Sequence, residues 1–214
     1  MSEKTLEKSP SSEKLPGENI VIMTPLDIAN ILSEFHVPIH VRRHCVTVAE
    51  LAFSLAQNIS RAGHPVDAEL VRRAALLHDF MRVIDFCDFH PEKFPVHGSA
   101  DDVAYWEKIR AEYSGIGHEE AAAKILRERG FTEEAGLIEQ HRYRQVIEGF
   151  DSLEAKILYY ADKRAKHDEI VPLAARLEEG RRRNVPETIG TPEAAAVDEK
   201  IFALEREIQS LGGI

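Results

Sequence analysis

Six ionisable side chains occupy positions where a helical core takes apolar ones: His44, His78, Asp79, His118, His141 and Asp162. Each keeps apolar company at helical spacing. Val41, His44, Val48 and Leu51 recur on one face. Val71 and Ala74 share the face of His78, and Asp79 follows it directly. His118 lines up with Ala121, Ala122 and Ile125, and His141 with Leu137 and Ile138. Leu158 lies one turn before Asp162. Burying a polar group costs free energy unless it is paired, and burying a carboxylate costs far more. A lone inward histidine is ordinarily a hydrogen-bonded core residue, and a lone inward aspartate a cap or an ion-pair partner. Four imidazoles and two carboxylates on five inward faces are hard to satisfy by mutual pairing. A metal ion satisfies them together, because neutral imidazoles and carboxylates are its ligands. A metal held this way acts as a Lewis acid and can lower the pKa of bound water, so the residues point to metal-centred chemistry.

The remaining histidines provide a contrast. A second His–Asp pair, His167–Asp168, lies in the charged run ADKRAKHDEI and reads as solvated surface. His40, one turn before His44, borders the set without being assigned to it. His36, His64, His90 and His97 fall in loop-like sequence and read as exposed.

The elements that must carry these residues read as helices. Thr24 and Pro25 make an N-cap and first helical position ahead of Leu26, Ile28, Ile31 and Leu32. Helical stripes follow over about 40–57, 67–80, 101–113, 118–129, 132–141 and 152–165, with a last helix opening at Thr191–Pro192. The stretch 88–99 carries Pro91, Pro95 and Gly98 and reads as a loop. The region 88–116 is a candidate substrate gate whose aromatics, Phe94, Tyr105 and Trp106, read chiefly as packing. No alternating strand pattern is convincing, so the expected fold is an all-α compact helical bundle. Residues 1–19, rich in Ser, Glu, Lys and Pro, read as a disordered tail, and 20–214 as a single domain.

Composition limits the partners. Net charge is −10, which argues against general binding to a nucleic acid polymer or an anionic membrane. No run of about 18 apolar residues is present, and the first residues lack the apolar core of a secretory signal. The two cysteines, Cys45 and Cys87, have apolar neighbours and read as reduced, packed thiols. Together these features predict a cytoplasmic protein.

Taken in order, the segments resemble the HD superfamily of metal-dependent phosphohydrolases. HVRRHCVTVAELA is similar to its first motif and VRRAALLHDFMRV to the motif that names it. GHEEAAAKILRERGF and IEQHR resemble the two further histidine motifs of its binuclear branches, and LEAKILYYADKR the last. The resemblance runs from about Thr24 to Asp168. It implies a mononuclear core of His44, His78, Asp79 and Asp162. It further implies that His118 and His141 hold a second metal, with Asp79 bridging. The cofactor implied is one or two divalent ions of manganese, iron, cobalt or zinc. Where many binuclear relatives read HDIGK, this chain reads His78-Asp79-Phe80-Met81-Arg82. Met81 in place of a small residue is expected to tighten the approach to the metal.

The function expected is hydrolysis of a phosphate ester or anhydride of a small, nucleotide-like molecule. Asp79 is the expected catalytic residue, orienting the nucleophile. Arg82, through its fork of donors, and Lys163, beside Asp162, are the expected phosphate contacts. Two other functions fit the same six residues: a mixed-valence di-iron oxygenase of the HD fold, and a non-catalytic, metal-stabilised regulatory module. The apolar face of the last helix could serve a partner or a homodimer.

Overall fold

The computed structural model of the chain describes residues 21–87, 89–184 and 190–213. The expected tail at 1–19 lies outside them. The first helix, α1 (Pro25–Glu34), opens on a capping box in which the Thr24 hydroxyl accepts from the Asp27 amide while Asp27 reaches back. α2 (Ile39–Arg61) runs one turn beyond its expected end before Gly63, at φ +96°, turns the chain. α3 (Ala68–Leu77) is capped by Asp67. It stops at Leu77 rather than near Phe80. Beyond it the bonds shorten to the i→i+3 pattern, from the Phe80 amide to Leu77, Arg82 to Asp79 and Ile84 to Met81. His78 and Asp79 therefore sit in a tightened turn that leads into a 3-10 helix at Arg82–Asp85.

A 3-10 turn at Pro91–Lys93 and α4 (Ala100–Glu112), capped by a Ser99–Asp102 box, cross one end of the bundle. α5 (His118–Glu128) and α6 (Thr132–Glu139) pack against each other, followed by the single turn α7 (Gln145–Glu148). α8 (Leu153–Arg164) leads into a hairpin of β1 (Ala165–Lys166) and β2 (Glu169–Ile170). This hairpin was not anticipated; two residues per strand are too few to alternate visibly. α9 (Leu173–Asn184) and α10 (Pro192–Ser210) close the chain. No described helix is long and apolar enough to cross a membrane.

The core forms where α2 packs against α3 and α8, with α6 covering α3. Val48, Ala52, Val71, Ala74, Leu77, Ile138, Ile157, Leu158 and Tyr159 are all fully buried there. Each large aliphatic side chain removed from water contributes about 1.5–3 kcal/mol. α10 turns Val197, Ile201, Leu204 and Ile208 inward and packs against α7 and α8, so its apolar face is covered by its own chain.

Several expectations are corrected. Cys45 is buried but Cys87 is exposed. His36 is half-buried, with its ring 2.6 Å from Asp102 and stacked on Tyr105. Met81 faces the core, fully buried, and does not crowd the cavity beside Asp79. Trp106 is core, in keeping with the expected packing role, its indole N–H donating to the His36 carbonyl.

Candidate metal centre

Five elements bring the six residues together. α2 supplies His44, the turn after α3 supplies His78 and Asp79, and α5 supplies His118 at its first residue. His141 follows α6, and Asp162 lies in the last turn of α8. All four imidazoles are oriented in the same way: Nδ1 is tied down and Nε2 points inward. His78 Nδ1–H donates to the Ala75 carbonyl at 2.8 Å, and His141 Nδ1–H to Ile138 at 2.5 Å. His44 Nδ1–H donates to the His167 carbonyl at 2.9 Å. His118 Nδ1–H donates to Asp85 Oδ2 at 2.7 Å, and its backbone amide reaches the same oxygen. A bond of this kind sets the tautomer and leaves the Nε2 lone pair for a ligand.

The Nε2 atoms fall into two groups on either side of Asp79. Asp79 Oδ2 lies 3.8 Å from both His44 Nε2 and His78 Nε2. Asp162 Oδ1 completes that group, 3.1 Å from His44 Nε2 and 3.6 Å from His78 Nε2. Asp79 Oδ1 faces the other way, 2.9 Å from His118 Nε2 and 3.5 Å from His141 Nε2. The two groups share one carboxylate, which is the arrangement expected of a bridge.

A metal fits this set. His78 Nε2 is fully buried and finds no hydrogen-bond partner. A buried polar atom left without a partner costs about 1–3 kcal/mol. Ligand atoms about 2.1 Å from a common ion lie about 3–3.5 Å apart; the separations here run from 2.9 to 3.5 Å on the His118–His141 side and from 3.1 to 3.8 Å on the His44–His78 side. His118 Nε2 and His141 Nε2 approach to 3.0 Å, which two lone pairs tolerate only with a proton or a cation between them.

The electrostatics of the metal-free protein agree. Burial opposes charge on Asp79, but His78, His118 and His141 outweigh it and hold its carboxyl well below the usual range. Burial likewise opposes charge on Asp162, and Lys163, His44 and His78 overcome it. For His118, burial is outweighed by Asp79 and Asp85, and the pKa rises to about 9. Burial pushes His141 down. One imidazolium therefore stands beside one neutral imidazole.

The centre forms the floor of a cavity of about 490 Å³. Arg82 and Lys163, the two expected phosphate contacts, both line it. Arg82 Nη1 lies 3.5 Å from Asp85 Oδ1 and 3.1 Å from His118 Nδ1. Lys163 Nζ sits 2.6 Å from Asp162 Oδ2, leaving the other oxygen of that carboxylate to the histidines. The sequence reading missed the supports. Asp85 was unassigned, although its spacing of three from Arg82 was a usable signal. His167 is exposed, as expected, yet its carbonyl orients His44 and its ring borders the cavity. His40 also lines the cavity, against Phe86 and Phe94.

An all-α bundle with a His/Asp cluster at the end of a helix in a cation-lined cavity defines a helical metal-binding domain. The HD domain family model matches residues 41–166, more than half of the chain, and the chain belongs to that family. Its superfamily consists in general of metal-dependent hydrolases. An uncharacterised protein of Methanocaldococcus jannaschii is 34% identical over 115 residues, 53% of this chain and 48% of the relative. The chain thus spans about half the length of that relative. No solved structure matches.

Proposed function

We propose that the protein hydrolyses a phosphate ester or anhydride of a small molecule, with His44, His78, Asp79 and Asp162 holding one divalent ion and Asp79, His118 and His141 a second. The observation that supports this best is the shared orientation of the four imidazoles. Each has Nδ1 spent on an acceptor and Nε2 aimed at Asp79 or Asp162, beneath a cavity rich in guanidinium and ammonium groups. Divalent ions held there supply Lewis acidity: they neutralise phosphate charge and make water acidic enough to attack at neutral pH.

The side chains do the rest. Asp79, its carboxyl held ionised, accepts a hydrogen bond from the attacking water and fixes its approach to phosphorus. Arg82 keeps Nε and Nη2 without a partner among the described residues, and these donate to phosphate oxygens as charge gathers on them. Lys163, anchored on Asp162, adds a fixed positive charge to the same wall. Water adds to phosphorus, the ester oxygen leaves with a proton, and the products are phosphate and an alcohol or a shorter phosphate.

The experiment is a phosphoesterase screen on wild type and Asp79→Ala in manganese, cobalt and iron. Hydrolysis of a phosphate ester that falls at least ~100-fold in the variant supports the reading. Activity equal in the two proteins overturns it. Oxygen uptake on an organic substrate by iron-loaded protein, without phosphate release, would place the site with the oxygenases.

A further inference from the structure

The cations of the cavity extend beyond those needed at the metal centre. Lys166, Arg176 and Arg181 also line it, with Leu177 and Gly180 between the two arginines. Arg176 and Arg181 belong to α9, which lies outside the 41–166 stretch matched by the family model. The hairpin ties this wall to the centre. The Arg176 Nε–H donates to the Ala165 carbonyl at 2.7 Å, and the His167 carbonyl accepts from His44. Lys166 stands between those two residues.

The two arginines are held in place. The side chains of Arg176 and Arg181 are only 17% and 15% exposed. Arg181 Nη2 is fixed by Asp198 of α10 at 2.5 Å and approaches Tyr143 Oη at 3.4 Å. Its Nε and Nη1 groups have no partner among the described residues, nor has Nη2 of Arg176. Lys166 pairs with no described side chain, although acids outnumber cations 37 to 27 in the whole chain. A Cβ at Gly180 would stand 2.6 Å from Arg176 Nη1, so the glycine leaves the guanidinium its place. Guanidinium groups anchored from behind, with donors still free, lose little rotamer freedom on binding an anion. The cavity also exceeds what one phosphate fills; sites of about 300–1,000 Å³ enclose whole small molecules.

We propose that Lys166, Arg176 and Arg181 form a second anion subsite, and that the substrate is a phosphorylated small molecule with a second phosphate, or a polyphosphate chain, beyond the group at the metal centre. The inference deepens the phosphohydrolase reading and rests on it. The phosphate that reacts lies over Asp79 and Arg82. The second one is held by the hairpin and α9, and orients the first.

The test compares inorganic phosphate with inorganic tripolyphosphate, titrated by calorimetry into chelator-treated full-length protein. Wild type, Lys166→Gln and Arg181→Gln are measured, with folding checked by circular dichroism. Charge-assisted hydrogen bonds of this kind are each worth roughly tenfold in affinity. Tripolyphosphate is expected to bind wild type at least ~10-fold tighter than phosphate and to lose ~10-fold in each variant, while phosphate changes less than about twofold. Equal tripolyphosphate affinity in wild type and Lys166→Gln overturns the subsite, as does a proportional loss of both anions. Turnover of a phosphate ester by manganese-loaded wild type reports separately on the hydrolase reading. Its absence removes that reading, while a selective loss of tripolyphosphate still supports the subsite.

Discussion

Removing the proton from His118 should destabilise the metal-free protein and strengthen its hold on metal. His118 is 3% exposed and lies 2.9 Å from Asp79 Oδ1 and 2.7 Å from Asp85 Oδ2. These carboxylates raise its pKa from 6.5 to about 9 against the opposing effect of burial. A folded-state pKa above the unfolded one gives stability that is complete below about pH 6.5 and is lost as pH rises through about 9. A shift of this size corresponds to about 3 kcal/mol, order of magnitude only, from this one residue. His78, raised by Cys45, Asp79 and Asp162 against burial, acts in the same direction. His141 is pushed down by burial and does not add to this effect. The assay is denaturant unfolding of chelator-treated protein from pH 6 to 9.5, for wild type and His118→Gln. Wild type should lose about 3 kcal/mol or more across the range, and the variant distinctly less. Metal binding has the opposite slope, because the proton on His118 competes with the ion. Affinity at the His118–His141 side should rise about tenfold per pH unit towards pH 9, with a proton released on binding. A flat stability profile in metal-free wild type, or an identical loss in His118→Gln, would refute the reasoning.

Other expectations follow from particular contacts. Arg73→Ala leaves Glu134, 2% exposed and ion-paired to Arg73 at 2.7 Å, as a buried unpaired carboxylate. It should cost about 3–5 kcal/mol in chemical denaturation, and adding Glu134→Leu should recover much of it. Gly98→Ala places a Cβ 2.5 Å from the Trp106 ring and should lower stability by about 1–3 kcal/mol. Lys163→Met removes the partner of Asp162 and a cavity cation. If Lys163 serves phosphate binding, kcat/KM on a phosphate ester should fall at least ~10-fold, and an unchanged value would remove it from that role. Metal content should fall from about two ions per chain to about one in the His118→Ala, His141→Ala double variant. Wild type that takes up no metal on reconstitution would sink the two-ion assignment.

Much of the site was legible because each of its residues violates a local rule. His44 among Val41, Val48 and Leu51, and His141 after Leu137 and Ile138, are polar positions on apolar faces. Such a mismatch is visible in one dimension because helix periodicity turns spacing into a common direction. The helices were legible for the same reason, with Thr24–Pro25, Ser152 and Thr191–Pro192 marking their starts. The supports were not. A backbone carbonyl such as that of His167 carries no side-chain signature, and only the turn between β1 and β2, where His167 adopts φ +55°, points it at His44. Arg176 and Arg181 are ordinary residues for a helix with a solvated face. It is the return of α9 across the hairpin and the mouth of the cavity that makes them part of the site. The sequence alone thus determined which side chains must be buried and satisfied together, since burial is written in its periodicity. The tertiary structure decided how they are oriented and what stands opposite them, since those depend on contacts between segments far apart in the chain.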